Sequence, residues 1–294
     1  MKKLLSYTAL ATLLLVLASC NGGKSKGSGD LVVSVEPQRA ILQEIVGDRH
    51  HVRSLLEKTA NPESFEPSMQ TRMALEDAPA YFPIDLLPFE QNLKKSLPKG
   101  TKVIKGAEGI SLIYGTHGHA HGADENDGHD DLSADPHIWF SVRNARIMAS
   151  HMVKAMAELE PENAEYYRSN HRRLDARLDS LDRALAAAVD SLPADSRAFA
   201  VWHPSLSYLA RDYGLKQIAV GFENKEMSPA HIAFVAEQAR KNGVKVLFFQ
   251  QDLDPRQAET LNRSMGTRMV NINPLSADWE AQISSVIDAL SSSR

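Results

Sequence analysis

Glu63, His137 and His203 combine side chains that hold divalent metal ions with settings that can fix them in space. Glu63 lies in the polar loop NPESFEPS, His137 in DPHIWF and His203 in VWHPS, so both histidines border apolar runs that can anchor them. Two neutral imidazoles and one carboxylate on separate loops make a ligand set for a borderline divalent ion. The chain's single cysteine is Cys20, which leaves no thiolate site within the folded part. Gln250 and Gln251 close the run KVLFFQ and Asn273 closes TRMVNI, placing neutral oxygen donors at two further strand ends.

A second group of histidines has a different character. In GTHGHAHGADENDGHDDLSADPHIWF, residues 115–140, His117, His119, His121 and His129 lie among Gly, Asp and Asn. Such composition buries too little apolar surface to fix a backbone, so these four are expected on a mobile loop. His137, wedged between Pro136 and Ile138-Trp139-Phe140, is expected to be held rigidly. His50, His51, His151, His171 and His231 read as structural residues on strand or helix surfaces without partners.

The elements that must position these residues follow from the hydrophobic pattern. From Leu31 to Gly106, short apolar runs (LVVSV, HHVRSLL, PAYFPI, KVIKG) alternate with amphipathic segments, the pattern of a parallel sheet flanked by helices. From Val142 to Leu192 nearly everything is a helix former, interrupted at Pro161. Leu174, Leu178, Leu181, Leu185, Val189 and Leu192 recur at spacings of three and four and mark one apolar stripe. A helix opened by Pro161 and running to Ser191 would be about 45 Å long, enough to span two lobes. After Pro193 the alternation resumes through RAFAVW, LKQIAV, KVLFFQ and TRMVNI and ends in a helix from about Asp278 to Leu290.

The expected architecture is therefore two α/β lobes with parallel sheets joined by a long rigid helix, with a cleft between them. The segments are an export signal over 1–20, a linker over 21–30, an N-terminal lobe over 31–114, the His-rich loop over 115–134, a bridging helical region over 135–192 and a C-terminal lobe over 193–294. The signal consists of Met1-Lys2-Lys3, an apolar stretch from Leu4 to Ala18, and the ending Leu17-Ala18-Ser19-Cys20. That ending resembles a bacterial lipobox, which implies a lipid on Cys20. A net charge of −4 gives no basic surplus, so nucleic acid is not an expected partner.

NPESFEPS, DPHIWFSVRNA, WHPSLSYLARDYGL, GFENKEMSP followed by KVLFFQQDLD, and INPL together resemble the metal-binding solute receptors of bacterial zinc and manganese ABC transporters. The resemblance runs in order over nearly all of the chain after the linker. It implies a monomeric, lipid-anchored receptor in the cell envelope that holds Zn(II) in the cleft and delivers it to a membrane permease. It places the ligands at Glu63, His137 and His203, with His117, His119, His121 and His129 as an auxiliary metal loop. Two departures stand out: Glu63 occupies a position usually held by His, and Asn273 in INPL one often held by Asp. Water, Asn273, Gln251 or a bidentate Glu63 could fill the fourth position. Mn(II) or Fe(II) would also accept a carboxylate with two imidazoles. A zinc-dependent hydrolase is the alternative from another class, because three protein ligands and an open position can activate water. The chain has no HExxH spacing to supply a base beside the metal, and no enzymatic reaction is expected.

Overall fold

Each short apolar run becomes a strand of two to four residues, and each amphipathic segment becomes the helix that covers it. The computed structural model describes residues 29–56, 61–115, 133–221, 228–250 and 255–292. Cys20, the four loop histidines from His117 to His129, and Gln251 lie outside the described residues.

In the N-terminal lobe β1 (Leu31–Val33), α1 (Glu36–Val46), β2 (Val52–Ser54), α2 (Met69–Met73), β3 (Ala80–Phe82), α3 (Pro88–Lys95) and β4 (Lys102–Val103) build a four-stranded sheet of order β2-β1-β3-β4. All its pairs are parallel, with Val32 of β1 beside Arg53 of β2 and Tyr81 of β3. The chain then forms α4 (Val142–Leu159), whose Ser141 cap accepts the Asn144 amide at 3.1 Å, and α5 (Ala164–Asp190). The C-terminal lobe repeats the first topology with β5 (Ala198–Val201), α6 (Ser207–Tyr213), β6 (Lys216–Ala219), α7 (Pro229–Lys241), β7 (Val246–Phe249), α8 (Pro255–Met265), β8 (Arg268–Asn271) and α9 (Trp279–Ser291). Its parallel sheet has the order β6-β5-β7-β8. In each sheet the order reverses beside the central strand, and the crevice beyond the carboxyl ends of such strands is where ligands bind.

Helix α5 is 27 residues long, about 40 Å. It starts three residues later than the proline suggests, because Pro161–Asn163 forms a separate 3-10 turn. Asn163 donates its side-chain N–H to the Glu160 carboxylate at 2.8 Å, which holds that turn. Of the expected stripe, Leu174, Leu178, Leu185, Val189 and Leu192 are buried and Leu181 is partly buried. The stripe packs α5 against α1 of the first lobe and α9 of the C-terminal half. On the same helix Arg177 contacts Glu44 of α1 and Glu280 of α9, each at 2.8 Å. Exposed ion pairs of this kind contribute little stability, but this one ties three elements at one guanidinium. Three of the histidines read as structural have partners after all: His50 meets Glu160 at 2.7 Å, His51 meets Asp30 at 3.2 Å, and His231 Nε2 lies 3.1 Å from the Val220 carbonyl.

The core of the first lobe contains one ionisable group that the hydrophobic pattern does not reveal. Glu90, in the first turn of α3, is fully buried and accepts the Ile84 amide at 2.7 Å, the Leu87 amide at 3.0 Å and the Ser34 hydroxyl. Tyr81 completes the chain with its hydroxyl 2.8 Å from Ser34 Oγ. Burial pushes the Glu90 carboxyl up from 4.5 to about 7, against the hydrogen bonds from Ser34, Leu87 and Ile84. The folded protein then binds this proton more tightly than the unfolded chain, so the contribution is fully present below pH 4.5 and is lost as pH rises to about 7. A shift of this size corresponds to at most about 3 kcal/mol. Denaturant unfolding of metal-free protein at pH 5 and pH 8 checks this. Relative to Glu90→Gln, the parent should lose stability across that interval, and parallel pH curves would show that Glu90 does not titrate there.

Candidate metal centre

Three loops bring the site residues together. Glu63 follows β2, on a turn in which its own amide donates to Asn61 Oδ1 at 2.8 Å. His203 follows β5 directly, where the Trp202 amide still donates to the Phe248 carbonyl of β7 at 2.9 Å and carries the chain rigidly to the strand end. Gly221, at the end of the neighbouring strand, is required there: a Cβ would lie 2.6 Å from the Trp202 carbonyl oxygen. His137 sits on the crossing segment before α4, and Ile138, Trp139 and Phe140 behind it are completely buried.

One ligand atom from each of Glu63, His137 and His203 lies within 4.8 Å of the others, a group able to hold a metal ion. The two Nε2 atoms are 3.1 Å apart, with Glu63 Oε1 3.6 Å from His203 Nε2 and 4.0 Å from His137 Nε2. Ligand atoms about 2.0–2.1 Å from a tetrahedral ion are separated by about 3.3 Å. The triangle therefore already has nearly the required size. His137 is 1% exposed, while the side chains of His203 and Glu63 are 13% and 17% exposed, so the group opens to solvent on one side only.

The orientation of His137 comes from Asp135. Its Oδ1 accepts the His137 backbone N–H at 2.9 Å and faces the ring Nδ1 at 2.8 Å. A proton on Nδ1 leaves the Nε2 lone pair directed at the other two ligands, the usual arrangement of a metal-binding imidazole backed by a carboxylate. Burial pushes the Asp135 carboxyl up, but the hydrogen bonds and charge of His137, with a hydrogen bond from Ser207, outweigh it and bring it to about 2. Burial works against the His137 imidazolium, yet the hydrogen bond and charge of Asp135 and the charge of Glu63 raise its pKa. Asp135, Ser207 and Tyr208, whose hydroxyl donates to the Asp135 carbonyl at 2.7 Å, were not among the residues expected from the sequence. The carboxylate two residues before His137 in DPH was the available signal.

Asn273 lies on the loop after β8. Its amide oxygen accepts the Leu275 amide at 3.0 Å, and its backbone N–H donates to Gln282 Oε1 at 2.8 Å. Trp139 Nε1 donates to the Pro274 carbonyl at 3.0 Å, which ties this loop to the segment bearing His137. Gln250 supports His203 indirectly: its amide donates to Ser205 Oγ at 2.8 Å, and the Ser205 amide donates to the His203 carbonyl at 2.7 Å.

Two lobes of the same topology on one long helix, with a His/Glu group able to hold a metal ion drawn from three loops between them, define a bilobal α/β protein of the solute-receptor type. More specifically, the chain belongs to the ZnuA family, described as zinc-uptake complex component A, periplasmic, whose model matches residues 31–292. The chain is 26% identical over 286 residues to the high-affinity zinc uptake system protein ZnuA of Bacillus subtilis, covering 93% of this chain and 89% of the relative. It is 27% identical over 290 residues to the zinc-binding lipoprotein AdcA of Streptococcus pneumoniae, covering 94% of this chain and 56% of the relative. The chain spans only about half the length of that protein and of its Streptococcus pyogenes counterpart, at 56% and 53%. A crystal structure of ZnuA superimposes with a TM-score of 0.78 at 30% identity, covering 90% of this chain and 98% of that one.

Proposed function

We propose that this protein captures one Zn(II) ion between its lobes, through Glu63, His137 and His203, and passes it to the permease of an ABC importer. The observation that carries this reading is the convergence of ligand atoms from those three residues, within 4.8 Å of one another, from a loop after β2, the segment before α4 and the loop after β5. Imidazole nitrogens with a single carboxylate suit zinc, and ions that prefer oxygen gain less from them. The zinc-binding names of the relatives and the membership of the ZnuA family agree. In this reading the ion is cargo and the protein catalyses no reaction. The precursor is exported, the lipid on Cys20 anchors it in the cell envelope, and it works as a monomer. His117, His119, His121 and His129 gather zinc at a weaker, separate location.

Zinc titration by calorimetry tests the assignment. His137→Ala and His203→Ala should each weaken the tight event by more than the about 10–100-fold cost of losing an outer hydrogen-bond partner, while the apo fold persists. Deleting residues 117–129 should remove only the weaker equivalents. Either alanine variant titrating like the parent would place the ligands elsewhere, and tighter binding of Mn(II) or Fe(II) would replace the cargo. Zinc-dependent cleavage of simple esters or amides would replace the class.

Glu63 and Asn273 are linked through charge. Two imidazoles and Glu63 leave a bound divalent ion with net charge near +1. Glu63→Gln removes the only formal charge that touches the ion and should weaken zinc more than an ordinary surface substitution does. Asn273→Asp should restore part of the loss in the double variant. Anomalous scattering from a zinc-soaked crystal is expected to put a Glu63 oxygen about 2.0–2.2 Å from the ion. An ion on His137 and His203 with Glu63 turned to solvent would sink this assignment.

A further inference from the structure

The segment that delivers His203 does not stop at that residue. Five residues on, Tyr208 is completely buried and its hydroxyl is used twice: it donates to the Asp135 carbonyl at 2.7 Å and accepts the Ile113 amide at 3.3 Å. The Asp135 amide in turn donates to the Ile113 carbonyl at 2.8 Å, and Tyr114 and Ala134 form an antiparallel bridge. One phenol therefore closes the two strands that enter and leave the His-rich insertion. Its ring is held in place by Arg211, whose guanidinium carbon lies 4.9 Å from the ring centroid and whose Nη1 donates to the Ser111 carbonyl at 2.5 Å. Next to it, Ser207 Oγ accepts the Gln217 side-chain amide at 2.9 Å, and the Leu206 amide donates to Gln217 Oε1 at 2.9 Å. Strand β6 thereby fixes the start of α6, which grips the Asp135 carbonyl through Tyr208 and the Asp135 carboxylate through Ser207.

We infer that Tyr208, assisted by Ser207, is a positioning residue for metal capture: it holds Asp135 so that His137 keeps its Nδ1 proton inward and its Nε2 toward His203. This inference rests on the proposed metal site. Both imidazoles then answer to a single stretch of the C-terminal lobe, His203 covalently and His137 through the Tyr208–Asp135 contact. Their Nε2 separation of 3.1 Å is set before any ion arrives, and Glu63 alone comes from the other lobe. His203 of the C-terminal lobe and His137 of the crossing segment it holds form a preformed two-imidazole half-site. The N-terminal lobe supplies the carboxylate that completes it.

Tyr208→Phe removes one oxygen and keeps the ring beneath Arg211. Two measurements are made on the variant: zinc affinity, and the tautomer of His137 in metal-free protein by imidazole nitrogen NMR. The expected result is a loss of zinc affinity of about tenfold, as for other outer-shell partners, together with a shift of His137 from a single Nδ1–H tautomer to a mixture. Ser207→Ala, which leaves the core ring untouched, is the second variant should the first fail to fold, and should move both readouts in the same direction. Affinity and tautomer both at parental values would overturn the inference. Weaker zinc binding with an unchanged His137 tautomer would also overturn it, since the phenol would then serve the fold in general. Failure of the metal reading itself would look different, because the parent protein would then show no tight zinc event.

Discussion

The hydrogen bond between the Asp135 carboxylate and His137 Nδ1 is the contact on which the metal centre depends. A neutral imidazole offers one lone pair, and the side that carries the proton decides where that lone pair points. At 2.8 Å Asp135 takes the Nδ1 side, leaving Nε2 for the cleft. A buried carboxylate is costly unless its acceptor sites are filled, and here the His137 amide, the His137 ring and Ser207 fill them. Asp135 and His137 are both buried beside the completely buried run Ile138-Trp139-Phe140, which keeps that short contact dry.

Charge gives Asp135 a second role. In the proposed site Glu63 alone leaves a bound divalent ion with one unit of positive charge, and a neutral amide at Asn273 does nothing to reduce it. Asp135 does not reach the ion, yet it stands one imidazole ring away and in a poorly solvated setting, where charges are felt over such distances. The carboxylate missing from the C-terminal loop relative to the family pattern is thus partly offset from behind His137.

Much of this was legible in the sequence, for identifiable reasons. Alternating strands and helices, the stripe on α5 and the three ligand residues each leave a periodic or compositional trace. The start of α5 was misplaced by three residues because Pro161 satisfies a 3-10 turn as well as a first helical turn. Asp135 left a local signal in DPH, but Tyr208 and Glu90 were not legible as functional or buried polar groups, since their roles arise from partners 73 residues away for Tyr208 and 56 for Glu90. Hydrogen bonds of that separation exist only once the chain has folded, within the first lobe for Glu90 and between the C-terminal lobe and the crossing segment for Tyr208. Asn273 was read as a candidate ligand, and its amide oxygen is engaged by the Leu275 amide in a local turn.

The lengths of the three edges of the ligand triangle suggest how the site accommodates an ion. The edge between the imidazoles is the shortest at 3.1 Å, and both edges to Glu63 are longer, at 3.6 and 4.0 Å. In the proposed site an ion that equalises them near 3.3 Å shortens the Glu63 edges by about 0.3 Å to His203 and about 0.7 Å to His137, and widens the imidazole edge by only about 0.2 Å. The lobes themselves are tied through α5, with Arg177 joined to Glu44 and Glu280 on either side, so the adjustment falls most easily on the Glu63 loop. That loop is held locally by the contact of its amide with Asn61 and by Phe65 packed edge-on against Phe89, with ring centroids 5.0 Å apart. In the proposed reading, capture moves the Glu63 carboxylate further than either imidazole, and release begins by withdrawing it.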